Sequence, residues 1–185
     1  MRTLLSDGTI AIRPFDREDV PGFFAAVQAS AAHLGRWMPW CHAGYSMDEA
    51  KAWLATCQIA WTQGSAYPFL IVHPKNNGVI GSVDINQINR DHNFGNIGYW
   101  VSSENCGKDI ATSAVKLAAQ FGFADVGLSR LEIVTDIKNG ASRRVAEKVG
   151  AKFECIARNR LLGWGMSKDA AVYSLIQTDI GYYKK

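Results

Sequence analysis

The sequence predicts an α/β fold in which a mixed central sheet carries an antiparallel N-terminal meander and a strand–helix–strand core. Three observations predict it. Short stretches alternate apolar and polar residues with period 2. Longer segments between them space their apolar residues three and four apart. The order of the two kinds is mixed, neither all-β nor a strict βαβ repeat. The 185 residues suit a single domain over 1–185, and a 48% hydrophobic share is enough to bury a core.

The elements follow in order. Thr9 to Phe15 alternates Ile10 and Ile12 with Ala11 and Arg13, a half-buried strand closed by Pro14. Asp16 caps a helix with Glu18 and Asp19 in its first turn, expected to run to about Ala32. Ser46-Met-Asp-Glu49 is a capping-box pattern. The helix it opens sets Ala50, Trp53, Leu54, Cys57, Ala60 and Trp61 on one face, so both tryptophans are expected in the core. Strands follow at Phe69–His73 and Val79–Ile88 across the turn Lys75-Asn-Asn-Gly78, then at about Asn96–Val101. A helix from Gly107 buries Ile110, Ala114, Leu117, Ala118 and Phe121. A strand at Leu131–Asp136 precedes a short helix, Ala141 to Val149, which stops at Gly150. Strands near Phe153–Arg160 and Ala171–Gln177 complete the chain.

Composition narrows the function. Twenty Lys and Arg against seventeen Asp and Glu give +3, with no block of like charge. A nucleic-acid binder carries a basic stripe, so nucleic acid is not an expected partner. No run approaches the ~18 apolar residues of a membrane-spanning helix, and Met1–Asp7 lacks the apolar stretch of a signal peptide. Cys41, Cys57, Cys106 and Cys155 are far apart and read as reduced thiols, which points to the cytoplasm. His33, His73 and His92 have no partners at ligand spacing, so no metal is expected.

Four stretches in order carry a family resemblance: Ile97-Gly-Tyr-Trp100, Cys106-Gly-Lys-Asp-Ile-Ala-Thr112, Arg130-Leu-Glu-Ile, and Asn139-Gly-Ala-Ser142 followed by Glu147-Lys-Val-Gly150. Leu34-Gly-Arg-Trp-Met-Pro-Trp40 and Ile80-Gly-Ser add to them. Over nearly its whole length the chain resembles the GNAT superfamily of acetyl-CoA-dependent N-acetyltransferases, most fully the ribosomal-protein N-acetyltransferase branch. The resemblance implies the GNAT fold and acetyl-CoA as donor. It implies a pyrophosphate loop at Cys106, Gly107, Lys108, Asp109, Ile110, Ala111 and Thr112. It also implies cofactor contacts from Asn139 and from the Tyr99, Trp100 and Val101 strand, whose backbone holds the oxyanion. Ser142 is implied as the group that protonates the leaving thiolate, and the aromatic loop of Trp37, Trp40 and His42 as an acceptor surface.

Each assignment has a plainer reading beside it. A Gly-x-x-x-Ala fragment alone fits any strand-to-helix turn, Asn139 is a good helix cap, and tryptophans commonly go to packing. The physical case for the loop is that a helix N-terminus presents unsatisfied N–H groups and roughly half a positive charge to a phosphate. Two departures stand out: Cys106 replaces the family's Gln or Arg, and Asp109 replaces a Gly. Asp109 brings a negative charge towards two others, and Cys106 is either an activated thiol at a helix start or an inert buried one.

A base is also missing. Relatives place a Glu where this chain has Asn96, and Asn cannot take a proton. Asp84 on the neighbouring strand is the nearest carboxylate, and Glu49 is accounted for by its capping role. An α-amine with pKa near 7.8 is ~14% neutral at pH 7, against ~0.04% for a Lys amine, so a weak base favours an α-amine. The expected activity is therefore direct acetyl transfer to a primary amine, foremost a protein or peptide N-terminus. A small-molecule amine acetyltransferase, for an antibiotic or polyamine, and a CoA-binding protein without turnover are the alternatives. The sequence is compatible with a homodimer.

Overall fold

The computed structural model describes residues 3–181. Its sheet strands are β1 (Leu5–Ser6), β2 (Ala11–Arg13), β3 (Tyr67–Val72), β4 (Val79–Asn89), β5 (Phe94–Val101), β6 (Arg130–Asp136), β7 (Lys152–Gly163) and β8 (Met166–Ile176). Their spatial order is β1-β2-β3-β4-β5-β6-β8-β7, and among the described residues only β5 and β6 pair in parallel. The helices are α1 (Val20–Leu34), α2 (Met47–Gln63), α3 (Ile110–Phe121) and α4 (Gly140–Lys148). The mixed α/β architecture with its meander and strand–helix–strand core is the expected one.

Period 2 explains how one sheet supports two cores. All six residues of β3 are buried, because alternate side chains enter opposite layers. Phe69 and Ile71 join Ile85, Ile97 and Phe121 on the α3 face. Leu70 and Val72 join Phe23, Val27, Leu54 and Trp100 on the α1–α2 face. Phe69 and Phe121 meet edge-to-face at 5.0 Å, and Trp61 caps them at 5.1 and 5.5 Å while donating its Nε1–H to Pro68 O at 2.7 Å.

Local expectations held where a cap decides them. Ser46 and Glu49 form the reciprocal capping box, and α4 ends beside Gly150, whose φ is +91°. Asp16 caps a 3₁₀ turn at Arg17–Asp19 before α1 begins, and α1 runs two residues past the expected end. Arg13 grips Asp19 bidentately at 2.7 Å, tying β2 to that turn. Burial pushes the Asp19 carboxyl upward, and the Arg13 hydrogen bond and charge with the Asp16 N–H overcome it, holding its pKa below the usual value.

Two expectations are corrected. The first strand is Ala11–Arg13 rather than Thr9–Phe15, and its edge is covered by β1, which is too short to show periodicity. Trp53 is 39% exposed rather than core. At about 100° per residue, positions 50, 54, 57 and 61 share a sector of about 60°, and 53 lies about 70° from its centre. Ala50, Leu54 and Cys57 are the buried ones.

The feature that positions the site is a divergence. β5 stays paired with β4 as far as Val101, but its pairing with β6 runs only from Phe94–Arg130 to Asn96–Glu132. Beyond that point the β6-facing edge of residues 97–101 has no strand partner among the described residues, and two clefts open there.

Candidate active site

One cleft, of about 540 Å³, lies between the edge of β5 and the N-terminal ends of α3 and α4. Tyr99, Trp100 and Val101 line it from the strand. Cys106, Gly107, Asp109, Ile110, Ala111 and Thr112 line it from the loop and the first turn of α3, and Asn139 and Ser142 from α4. Lys108 is not among its lining residues; its Nζ reaches Asn105 Oδ1 at 3.5 Å.

This cleft suits a pyrophosphate. Asp109 is the N-cap of α3 in the left-handed region, φ +57°, and its side chain makes no capping bond, so the first-turn N–H groups remain for a ligand. Gly107 is left-handed as well, φ +76°, with no atom within 4 Å of where a β-carbon would stand. Thr112 is only 8% exposed, yet its Oγ1 has no hydrogen-bond partner among the described residues. A buried hydroxyl without a partner is costly unless a ligand supplies one. The Asp109 carboxylate pairs with Lys148 of α4, not with Lys108, so its charge is offset by a residue the loop motif does not contain. Cys106 Sγ lies 3.5 Å from His33 Nε2, and burial pushes the thiol pKa up, the direction of an inert thiol.

The second cleft, of about 260 Å³, is lined by Ile97 to Tyr99 of β5 and Ile133 to Asp136 of β6. Trp37, Met38 and Pro39 wall one side, and Leu161, Leu162 and Trp164 of the β7–β8 hairpin wall another. Its charged lining residues are Asp136 and Lys168, which face each other at 3.5 Å while Lys168 Nζ sits 4.1 Å over the Trp164 ring. Trp37 lines both clefts; Trp40 and His42 line neither. Trp40 packs against Tyr45 and Trp100, and His42 Nε2 meets Glu49 Oε1 at 3.1 Å.

Tyr99, Asn139 and Ser142 belong to both clefts and form the wall between them. Asn139 Oδ1 accepts from Ser142 N at 3.1 Å, the expected cap. Ser142 Oγ and Tyr99 Oη are 3.0 Å apart, and Tyr99 also donates to Ser142 O at 3.0 Å. Burial pushes the Tyr99 pKa to about 12 against the Ser142 hydrogen bond, so the phenol keeps its proton at neutral pH. The sequence pattern points to Tyr99 only through its backbone. Its partner lies 43 residues away, and no local pattern signals the pair.

Asp84 stands on β4 opposite Gly98 of β5. Its Oδ2 accepts from Asn86 Nδ2 at 2.5 Å, and Asn86 Oδ1 accepts from Asn96 Nδ2 at 3.0 Å. Asn96 Oδ1 is buried with no partner among the described residues.

Comparisons with known proteins agree with this geometry. The Acetyltransferase (GNAT) domain model matches residues 9–152. YdaF of Bacillus subtilis, provisionally named a ribosomal N-acetyltransferase, is 34% identical over 102 residues, which are 55% of this chain and 54% of YdaF. The chain thus matches about half the length of that relative. A Vibrio cholerae structure, provisionally described as a ribosomal-protein-serine acetyltransferase, superposes with a TM-score of 0.83 at 26% identity, covering 94% of this chain and 97% of its own. Mycobacterium smegmatis RimJ in complex with CoA-disulfide shares the fold, with a TM-score of 0.84 at 22% identity over 97% and 88% of the two chains. A family model spanning most of the sequence, a sheet that splays beside the loop before α3, and a cleft suited to a pyrophosphate agree: the chain belongs to the GNAT family of acetyltransferases.

Proposed function

We propose that the protein transfers acetyl from acetyl-CoA to the α-amine of a protein or peptide N-terminus. The observation that carries the choice of acceptor is the charge of the smaller cleft. Its two charged lining residues, Asp136 and Lys168, offset each other, and the remainder of the wall is largely apolar. A polyamine or aminoglycoside with several positive charges needs several unpaired carboxylates lining the cleft, whereas a peptide N-terminus brings one ammonium on an uncharged backbone. The likeness to ribosomal-protein acetyltransferases supports the same choice.

Acetyl-CoA supplies the activated acetyl thioester. The α3 N-terminus, Gly107 and Thr112 hold its pyrophosphate, and Lys148 adds a cation beside them. Asn139 and the edge of β5 beyond Asn96 would align the pantetheine arm, and N–H groups of that edge would serve the oxygen on which charge develops. Tyr99 and Ser142 form a hydroxyl pair that hands a proton to the departing sulfur. Trp37 closes the junction from the α1–α2 loop and keeps water out.

The test follows thiol release from acetyl-CoA with peptides of free or blocked N-terminus, spermidine and an aminoglycoside, with mass spectrometry of the products. Acetylation confined to free peptide N-termini supports the proposal. Faster turnover of either polycation overturns the choice of acceptor, and no thiol release with any amine overturns transfer itself.

A further inference from the structure

A transferase acting on an ammonium needs a place for its proton, and the usual carboxylate position is held by Asn96. The sheet offers a substitute one strand away. Gly98 lines the acceptor cleft, and a β-carbon there would stand 2.6 Å from Asp84 Oδ1. No such carbon exists, so the Asp84 carboxylate occupies the space above the strand, separated from the cleft by a glycine. Its neighbour on the other side is Pro68 of β3, so neither flanking strand places a polar side chain opposite it. Asn86 then fixes its orientation by donating a hydrogen bond to Oδ2, and Asn96 holds Asn86 by donating to its Oδ1.

We propose that Asp84 is the proton acceptor for the incoming amine, reached across Gly98 and held in place by Asn86 and Asn96. The inference rests on the acetyl-transfer reading and adds the base to it. Asp84 takes one proton from R–NH₃⁺, leaving a neutral amine whose lone pair forms the C–N bond as the C–S bond breaks. The Tyr99–Ser142 pair gives one proton to the sulfur and recovers one from the nitrogen, and Asp84 returns its proton to solvent. Atoms and charge balance without a further reactant.

The electrostatics agree. Burial raises the Asp84 pKa from 3.8 to about 6, and the Asn86 amide pulls it back only in part. No cation forms an ion pair with it among the described residues. The titratable group facing it from α2 is Cys57, whose thiol burial pushes to about 12 and which is therefore neutral. Taking a proton from an α-ammonium of pKa near 7.8 is then unfavourable by only ~60-fold, against ~25,000-fold for a Lys ammonium near 10.4. A carboxylate of this strength suits the acceptor proposed above.

The experiment compares wild type, Asp84→Asn and Gly98→Ala. The pH dependence of kcat/KM is measured for a peptide N-terminus, and the Asp84 carboxyl is titrated by NMR in the ligand-free protein. The wild-type profile should show an acid limb near pH 6 matched by the carboxyl titration. Asp84→Asn should lose ~100-fold or more at pH 7 with the KM for acetyl-CoA unchanged, and recover part of the loss at pH 9, where the amine is already neutral. Gly98→Ala, which keeps the carboxyl but places a methyl against it, should lose activity in the same way. An Asp84→Asn enzyme with the wild-type rate and profile, or a carboxyl titrating at its ordinary 3.8, overturns the proposal. If wild type acetylates no amine, the transfer reading falls instead, and the carboxyl titration still reports on Asp84.

Discussion

The two clefts that meet at Tyr99 and Ser142 are built on different principles. The larger takes its phosphate-facing part from nearly contiguous sequence: the loop and helix start between Cys106 and Thr112, then Asn139 to Ser142 one strand later. The smaller has no net charge among its lining residues and draws Trp37 to Pro39, Gly98, Val134 and Leu162 from four separate elements. A pyrophosphate is the same in every reaction, so one local device serves to bind it. An acceptor is recognised by the shape and charge of a whole surface, which only folding assembles.

The junction gives the largest expected effect. Tyr99→Phe should lower kcat by ~100- to 1,000-fold, and Ser142→Ala by a similar or smaller factor, with little change in the KM for acetyl-CoA. The double variant should lose little more than the worse single one, because the two hydroxyls act as a unit. Fully multiplicative losses in steady-state kinetics would separate them.

Next comes the acceptor side. A carboxyl whose folded pKa is raised destabilises the protein above the folded value and not below the unfolded one. Asp84→Asn should therefore stabilise the fold at pH 8 by at most about 3 kcal/mol, and the gain should vanish between pH 6 and pH 4. Thermal unfolding of both proteins across that range checks it. A pH-independent difference would mean that the carboxyl titrates normally.

The cofactor side should respond through charge. Lys148→Ala leaves Asp109 facing the phosphates unpaired and should weaken CoA binding by ~10-fold, about 1.4 kcal/mol. Asp109→Gly removes the repulsion, releases Lys148 and keeps the left-handed backbone, so it should tighten binding by a similar factor. Calorimetry at two salt concentrations tests both, since screening should shrink each effect. Equal affinities would show that the phosphates seat away from the pair.

The smallest effect lies in the arm behind the acceptor cleft. Arg130 clamps Glu154 with contacts of 2.7 and 2.5 Å and also bonds Glu132, joining β6 to β7 across β8. The Arg130 hydrogen bonds hold the Glu154 pKa down to about 2, so its contribution is complete above pH 4.5 and is lost as pH falls toward 2. Glu154 is 39% exposed, so Glu154→Gln should cost only about 1 kcal/mol at pH 7 in chemical denaturation. A difference that persists at pH 2 would assign the cost to packing.

By itself the sequence determined most of what is local. The capping box at Ser46 and Glu49, the stop at Gly150 and the loop from Cys106 to Thr112 were legible because each is a contiguous pattern that satisfies or exposes backbone N–H groups. Four motifs in order were enough to indicate the family. What pairs across the sheet was not legible. Tyr99 reaches Ser142 over 43 residues, Lys148 reaches Asp109 over 39, and the Asp84 carboxylate fits only because Gly98 is its cross-strand neighbour. The same applies to Trp53, left outside by a rotation of about 70° on a helix whose 3–4 spacing includes it. Periodicity and caps act within a few residues, whereas register, strand divergence and the meeting of distant side chains exist only once the sheet has closed around its two cores.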